Sequence, residues 1–249
     1  MFFKYFHRYF GLLAISIIWE INPFSISLTD VRAATFEPPT GHPAPTTTIG
    51  GGRRTNDEQC LKNSDVMSGE SKIKKSLEHQ LTPLIPQNKF GLTVSANPTF
   101  FAYIPKTSAI AVEFTLENQQ GKGLARKTVT LTSTPSIINV QFEGITLEVG
   151  KDYKWLISVI CETGDPEDKF SEGIIRRIKL DETLLRKLEK ATELERVSLY
   201  AKFGIWHEAI AGIANLLISQ PNSTEIKTSW LTLLKSTSLE SIANTPLSN

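Results

Sequence analysis

Between residues 90 and 180, short runs rich in Phe, Val, Ile, Thr and Tyr are separated by clusters of Pro, Gly and Asn. The spacing of about ten residues predicts an immunoglobulin-like antiparallel β-sandwich rather than alternating βαβ units. Seven strands are expected, over 90–95, 99–104, 109–117, 124–132, 136–142, 151–161 and 173–180. Asn118-Gln-Gln-Gly121 separates the third run from the fourth and predicts a hairpin loop in which glycine takes positive φ. Tyr153 stands just inside the sixth strand, after Leu147-Glu-Val-Gly-Lys-Asp152. That placement fits either a tyrosine corner or a tyrosine packed at a strand start.

Strict alternation fails in two places. In 99–104 and again in 155–160 apolar side chains fall on both faces of the strand. One face belongs to the sandwich interior. The other requires cover from the N-terminal segment, from C-terminal helices, or from a partner. Phe101, Tyr103 and Trp155 are therefore the candidate interaction residues if the cover is a partner, and core residues if it is not.

After Leu180 the apolar period becomes helical, so the expected class is mainly β plus α. Asp181 predicts an N-cap ahead of the stripe Leu184, Leu185, Leu188 and Ala191, and Thr192-Glu-Leu-Glu195 is a capping-box pattern. Gly204 is expected to end the second helix, Trp206 to start a third that runs to Ser219, and Ile226, Trp230, Leu233 and Leu234 to form the inner face of a fourth. Tyr200, Gly204, Trp206, Ala209 and Pro221 resemble one tetratricopeptide-like repeat. Ala209 would let two helices approach and Tyr200 would fill the space between them, which makes a scaffold rather than a peptide groove.

The N-terminus has the layout of a secretory signal. Lys4, His7 and Arg8 precede an apolar run from Phe10 to Trp19, and Val31 and Ala33 suit a signal peptidase, which places cleavage after Ala33. The run is shorter than the roughly 20 residues of a bilayer span. An uncleaved anchor is the alternative, and either way the folded part is expected outside the cytoplasm. Residues 34–80, with Pro-Pro at 38–39 and Gly-Gly-Gly at 50–52, read as a disordered Pro/Gly-rich linker and arm. The sandwich domain is assigned to 81–180 and the helical region to 181–249.

The 249 residues carry a formal net charge of +1. Without residues 1–33, the 27 Lys and Arg lose three and the 26 Asp and Glu lose two, which leaves the two signs in balance. A neutral mature chain lacks the field that holds nucleic acid or anionic lipid, so neither is an expected partner. Cys60 and Cys161 are the only cysteines. In an oxidising compartment they are expected to pair, the alternative being two separate thiols. The bond would tether the N-terminal arm to the end of a core strand.

Catalytic signatures are missing from the sequence. His42, His79 and His207 show no metal-binding spacing, there is no Gly-x-Ser-x-Gly elbow, and Gly50-Gly-Gly52 lacks the Lys-Ser/Thr of a phosphate loop. Glu162, Asp165, Glu167 and Asp168 lack the glycine and terminal glutamate of an EF-hand and read as a solvated loop. No catalytic residue, cofactor or metal is expected.

Leu81-Thr-Pro-Leu-Ile-Pro86, Gly91-Leu-Thr-Val-Ser95, Pro98-Thr-Phe-Phe101, Tyr103-Ile-Pro105, Leu147-x-Val-Gly-Lys-Asp-Tyr-x-Trp155, Cys161 and Gly173-x-Ile-Arg-Arg177 together resemble a cyanobacterial family of exported proteins, the domain-of-unknown-function 928 family. The resemblance runs from about Leu81 to Leu239. It implies placement in the periplasm or outside the cell and supplies no catalytic residues. The acidic flank of Cys60 differs from the Arg-Gly-rich setting of the family's first cysteine, so the resemblance adds nothing on pairing. The expected function is a non-catalytic structural or binding module of the cell envelope, holding a protein or glycan. An accessory for secretion or assembly that recognises peptides is the second class, and a carbohydrate-active enzyme the third.

Overall fold

The computed structural model describes residues 33–43, 60, 77–161 and 166–248. Among them, two sheets face one another. Sheet A has the order β1-β3-β6-β9, built from β1 (Thr82–Pro83), β3 (Phe100–Ile104), β6 (Ser136–Val140) and β9 (Leu247–Ser248). Sheet B has the order β2-β8-β7-β4-β5, built from β2 (Phe90–Thr93), β8 (Pro166–Arg177), β7 (Asp152–Ile160), β4 (Ala111–Asn118) and β5 (Gly123–Thr130). Four helices lie between β8 and β9: α1 (Glu182–Lys190), α2 (Glu193–Lys202), α3 (Trp206–Ser219) and α4 (Thr224–Lys235).

Each of the seven expected strands is present, and the expected turn chemistry operates. Asn118 Oδ1 accepts from the N–H groups of Gln120 and Lys122, each at 3.0 Å, and Gly121 has φ of +74°. The Tyr153 hydroxyl accepts from the N–H of Glu148, five residues upstream, at 3.0 Å, which is the bond a tyrosine corner makes. The sandwich is not wholly antiparallel, however. β2 pairs in parallel with β8, and β6 with β9. Parallel neighbours need a long crossover, which the intervening strands supply for β2 and the whole helical region supplies for β9.

The interior is aromatic. Trp155 of β7 stacks on Phe114 of β4, with planes 4° apart and centroids at 6.4 Å, and meets Phe100 of the opposite sheet at 5.2 Å. Gly173, paired with Trp155 across β7 and β8, gives the indole room: a Cβ there would lie 2.6 Å from Trp155 Nε1. Burial of these rings, at about 25 cal/mol per Å² of apolar surface, is the main force holding the sheets together.

Helix ends follow the sequence closely. Asp181 accepts from the N–H of Leu184, Thr192 and Glu195 form a reciprocal capping box, and Ser223 caps α4. Gly204, at φ of +72°, ends α2 and also admits the N-terminal arm, because a Cβ there would lie 2.7 Å from Pro39.

The arm itself corrects an expectation. Residues 34–43 belong to the stretch expected to be disordered, yet Ala34 and Phe36 are buried. The Phe36 N–H donates to Ser236 Oγ, the Glu37 N–H to the carbonyl of Ala201, and the Phe36 ring meets Trp206 edge-on at 5.2 Å. Two apolar side chains and two main-chain bonds to the helices overcome the local bias of the prolines. Most of the linker, including Gly50–Gly52, and the leader expected over 1–33, apart from Ala33, lie outside the described residues. No helix among the described residues is long and apolar enough to cross a membrane.

Candidate functional site

Phe101, Tyr103 and Trp155 are interior residues, exposed by 4%, 3% and 0%. The second apolar face of β3 is covered within the chain, in a buried cluster continuous with Leu81, Leu84, Trp206 and Ile242. Tyr103 is fixed further by donating its hydroxyl to the carbonyl of Glu78 at 2.8 Å. The candidate interaction role of these three side chains is thereby corrected: helices and the segment before β2 occupy the place a partner would take.

Cys60 and Cys161 are joined in a disulfide, with Cα atoms 6.0 Å apart and 101 residues between them in sequence. Cys161 directly follows β7. The carbonyl of Cys60 accepts from Thr107 Oγ1 at 2.7 Å, so both ends of the tether are held by the sandwich.

The first turn of α3 joins helices to sheets through three successive side chains. Trp206 Nε1 donates to the carbonyl of Leu84 at 2.8 Å in a buried bond. His207 Nδ1 lies 3.3 Å from the carbonyl of Thr99 and serves as its donor. Glu208 Oε1 accepts from Thr93 Oγ1 at 2.6 Å and from the N–H groups of Val94 and Ser95 at 3.1 and 2.9 Å. These partners sit before β2, before β3 and at the end of β2. One helical turn therefore secures three points of the sandwich rim.

Burial shapes the chemistry of this turn. Removal from water lowers the His207 pKa from 6.5 to about 4, so its imidazole is neutral at pH 7. Burial raises the Glu208 pKa, against the lowering effect of its donors from Thr93, Ser95 and Val94. His207 Nε2 has no hydrogen-bond partner, and a Cβ on Gly91 would lie 2.9 Å from it. A nitrogen sealed against a strand backbone cannot reach a substrate, and the pair works as a clasp. Sequence reasoning examined His207 only for metal spacing and missed this role. The available signal was an aromatic, His, Glu run at a helix start just after a turn glycine.

Among the described residues, two surface clefts are well formed. The smaller, of about 350 Å³, lies between the β4–β5 loop and residues 144–153. Its charged groups are already paired, Lys151 with Glu148 at 2.8 Å and Asp152 with Arg176, whose Nη2 donates at 2.8 Å. The larger, of about 630 Å³, is an apolar groove between the end of α3, α4 and the segment that becomes β9. Trp230 forms part of its floor, Ile218 and Leu231 stand on its walls at 45% and 46% exposure, and Pro246 and Leu247 form the opposite side. Lys227 is the only charged residue among those lining it. Among the described residues no group of three or more His, Cys, Asp and Glu side chains gathers as a metal site. The side chains of Glu162, Asp165, Glu167 and Asp168 lie outside those described.

Fold and site thus define, among the described residues, a disulfide-tethered two-sheet β-sandwich followed by four helices, with an apolar groove at its helical end. The chain belongs to the family described as Domain of Unknown Function (DUF928), whose model matches residues 49–247. No curated protein matches it in sequence. Similar solved structures include the crystal structure of CopC from Methylosinus trichosporium OB3b, at 9% identity over 41% of this chain and 99% of that one, with a TM-score of 0.29. A domain of a cell surface protein from Methanosarcina acetivorans, solved by NMR, is 14% identical over 41% of this chain and 95% of that one, with a TM-score of 0.30.

Proposed function

We propose that the protein is an exported, non-catalytic binding module of the cell envelope, working in the periplasm or outside the cell. The observation that carries this reading is the Cys60–Cys161 disulfide, which ties the N-terminal arm to the end of β7. Such a bond persists in oxidising compartments and is rare where thiol reductants circulate. The signal-like N-terminus, cleaved after Ala33 or retained as an anchor, supplies the route. The family's cyanobacterial character belongs to the same reading.

The non-catalytic part of the proposal rests on how polar groups are spent. Glu208 Oε1 and His207 Nδ1, both on buried side chains, are committed to the Thr93 hydroxyl and to main-chain atoms of the sandwich rim. The helical pair α2 and α3, with Tyr200, Gly204, Trp206 and Ala209 in tetratricopeptide-like positions, serves as a scaffold. Its α3 packs against α4 and against β2 of sheet B. A module of this kind has its binding capacity on the surface, and the apolar groove favours a peptide-recognising accessory over a glycan binder, since no exposed aromatic lines it.

Fractionation of native cells carrying a C-terminally tagged chain tests the proposal. The tagged chain should co-fractionate with periplasmic or extracellular markers, resist alkaline extraction only if the leader is retained, and be digested by protease added to spheroplasts. Co-fractionation with cytosolic enzymes and protection from that protease would overturn the reading.

A further inference from the structure

The groove beside α4 has a property that its apolar lining alone does not give: one of its walls is a sheet edge. Among the described residues, β9 is the outermost strand of sheet A and pairs with β6 alone. The Ile137 N–H donates to the carbonyl of Pro246, and Ile137 is the register partner of Leu247. In a parallel pair, successive residues direct their main-chain groups to alternate sides. Pro246 and Ser248 thus serve β6, and the N–H and C=O of Leu247, a residue that lines the groove, point away from β6.

From this the geometry points to a docking site for an extended, apolar peptide segment that carries one acidic side chain. The segment adds to the edge of β9 through Leu247 and lays its side chains between that edge and α4. Strand addition of this kind takes affinity from main-chain bonds and specificity from the pockets that receive alternate side chains. The apolar pockets are those over Trp230, between Ile218 and Leu231. The acidic residue is dictated by Lys227, which has no carboxylate partner among the described residues. Thr224 lies one helical turn before it on the exposed face of α4, and Thr228, its neighbour in sequence, also lines the groove. A helical ligand would leave the Leu247 groups unused.

The inference rests on the reading of the chain as a binding module and names the partner's chemistry. Its test is selection of a phage-displayed library of randomised dodecapeptides on the intact, oxidised chain. The enriched peptides are then made synthetically, and binding is followed by fluorescence anisotropy. Enriched peptides should alternate apolar residues around one Asp or Glu. They should bind roughly ten-fold more weakly to Leu231→Asp and to Ile218→Asp, two variants on exposed positions whose melting curves should match the parent. Lys227→Ala should weaken them about three- to five-fold, as loss of one surface ion pair does. Peptides N-methylated on alternate residues should bind in only one of the two methylation phases, because only one main-chain face meets Leu247. No enriched sequence, binding indifferent to both aspartate variants, or equal binding in both methylation phases would overturn the inference. A chain that is exported and oxidised but selects no peptide loses the groove alone. A chain that selects such peptides but fractionates with cytosolic enzymes loses the export reading alone.

Discussion

His207 and Glu208 are neighbours on α3 whose burial acts on them in opposite senses. The imidazole titrates near 6.5 when the chain is unfolded and near 4 when it is folded. The folded state thus binds the proton less readily, so its advantage is complete above pH 6.5 and is lost as the pH falls from there through 4, a total of about 3 kcal/mol. Glu208 has the reverse sign. Its folded pKa is raised, so the folded state takes that proton more readily and gains in relative terms as the pH falls toward 4.5, which offsets part of the loss. A His207→Phe variant should therefore lose less stability than the parent between pH 6.5 and 4, measured by urea denaturation at a series of pH values; parallel curves would refute the assignment. Gly173 makes a second claim at this scale. A methyl group there meets Trp155 at 2.6 and 2.8 Å, and the indole, stacked on Phe114, has nowhere to retreat. Gly173→Ala should cost about 1–3 kcal/mol in the same assay.

Among the elements, the first turn of α3 secures the helices to the sandwich rim. Removal of the Glu208 carboxylate leaves the Thr93 hydroxyl and the Val94 N–H without their acceptor and the Ser95 N–H with Thr93 Oγ1 alone. Glu208→Ala should cost about 2–3 kcal/mol. Hydrogen exchange should show the loss first in α3 and α4, with β4 and β7 still protected; uniform loss across both sheets would show that the turn is not a local lock. Much of the element pattern was legible from local chemistry. Asp181, Thr192 with Glu195, and Gly204 marked helix ends, and Asn118 with Gly121 marked a hairpin, because caps and turns act within a few residues. β1 and β9 were not legible. Each has two residues, one contains Pro83 and the other follows Pro246, and proline in a short run reads as a breaker although sheet edges tolerate it. The parallel pairings were hidden for a related reason: register between segments far apart in sequence leaves no local mark. The groove was hidden too, since Ile218, Lys227, Leu231 and Leu247 each read as ordinary helix surface or tail until β9 brings them together.

At the scale of the whole molecule, helices and sheets share one buried cluster that runs from Phe36 of the arm through Trp155 to Ile242. The helical region crosses from sheet B, which it leaves after β8, to sheet A, which it joins as β9. The disulfide performs the corresponding task at the other end of the chain by closing a long loop onto the sandwich. Closure of a loop of about 100 residues stabilises by up to about 4.7 kcal/mol through restriction of the unfolded chain. That bond ties the fold to its compartment, and its state in living cells tests the account most directly. Native cells are quenched in acid, the chain is denatured and treated with N-ethylmaleimide without reductant, and its intact mass is measured. The account predicts a chain free of maleimide in which Cys60 and Cys161 are both oxidised; a chain carrying two maleimide adducts would contradict it.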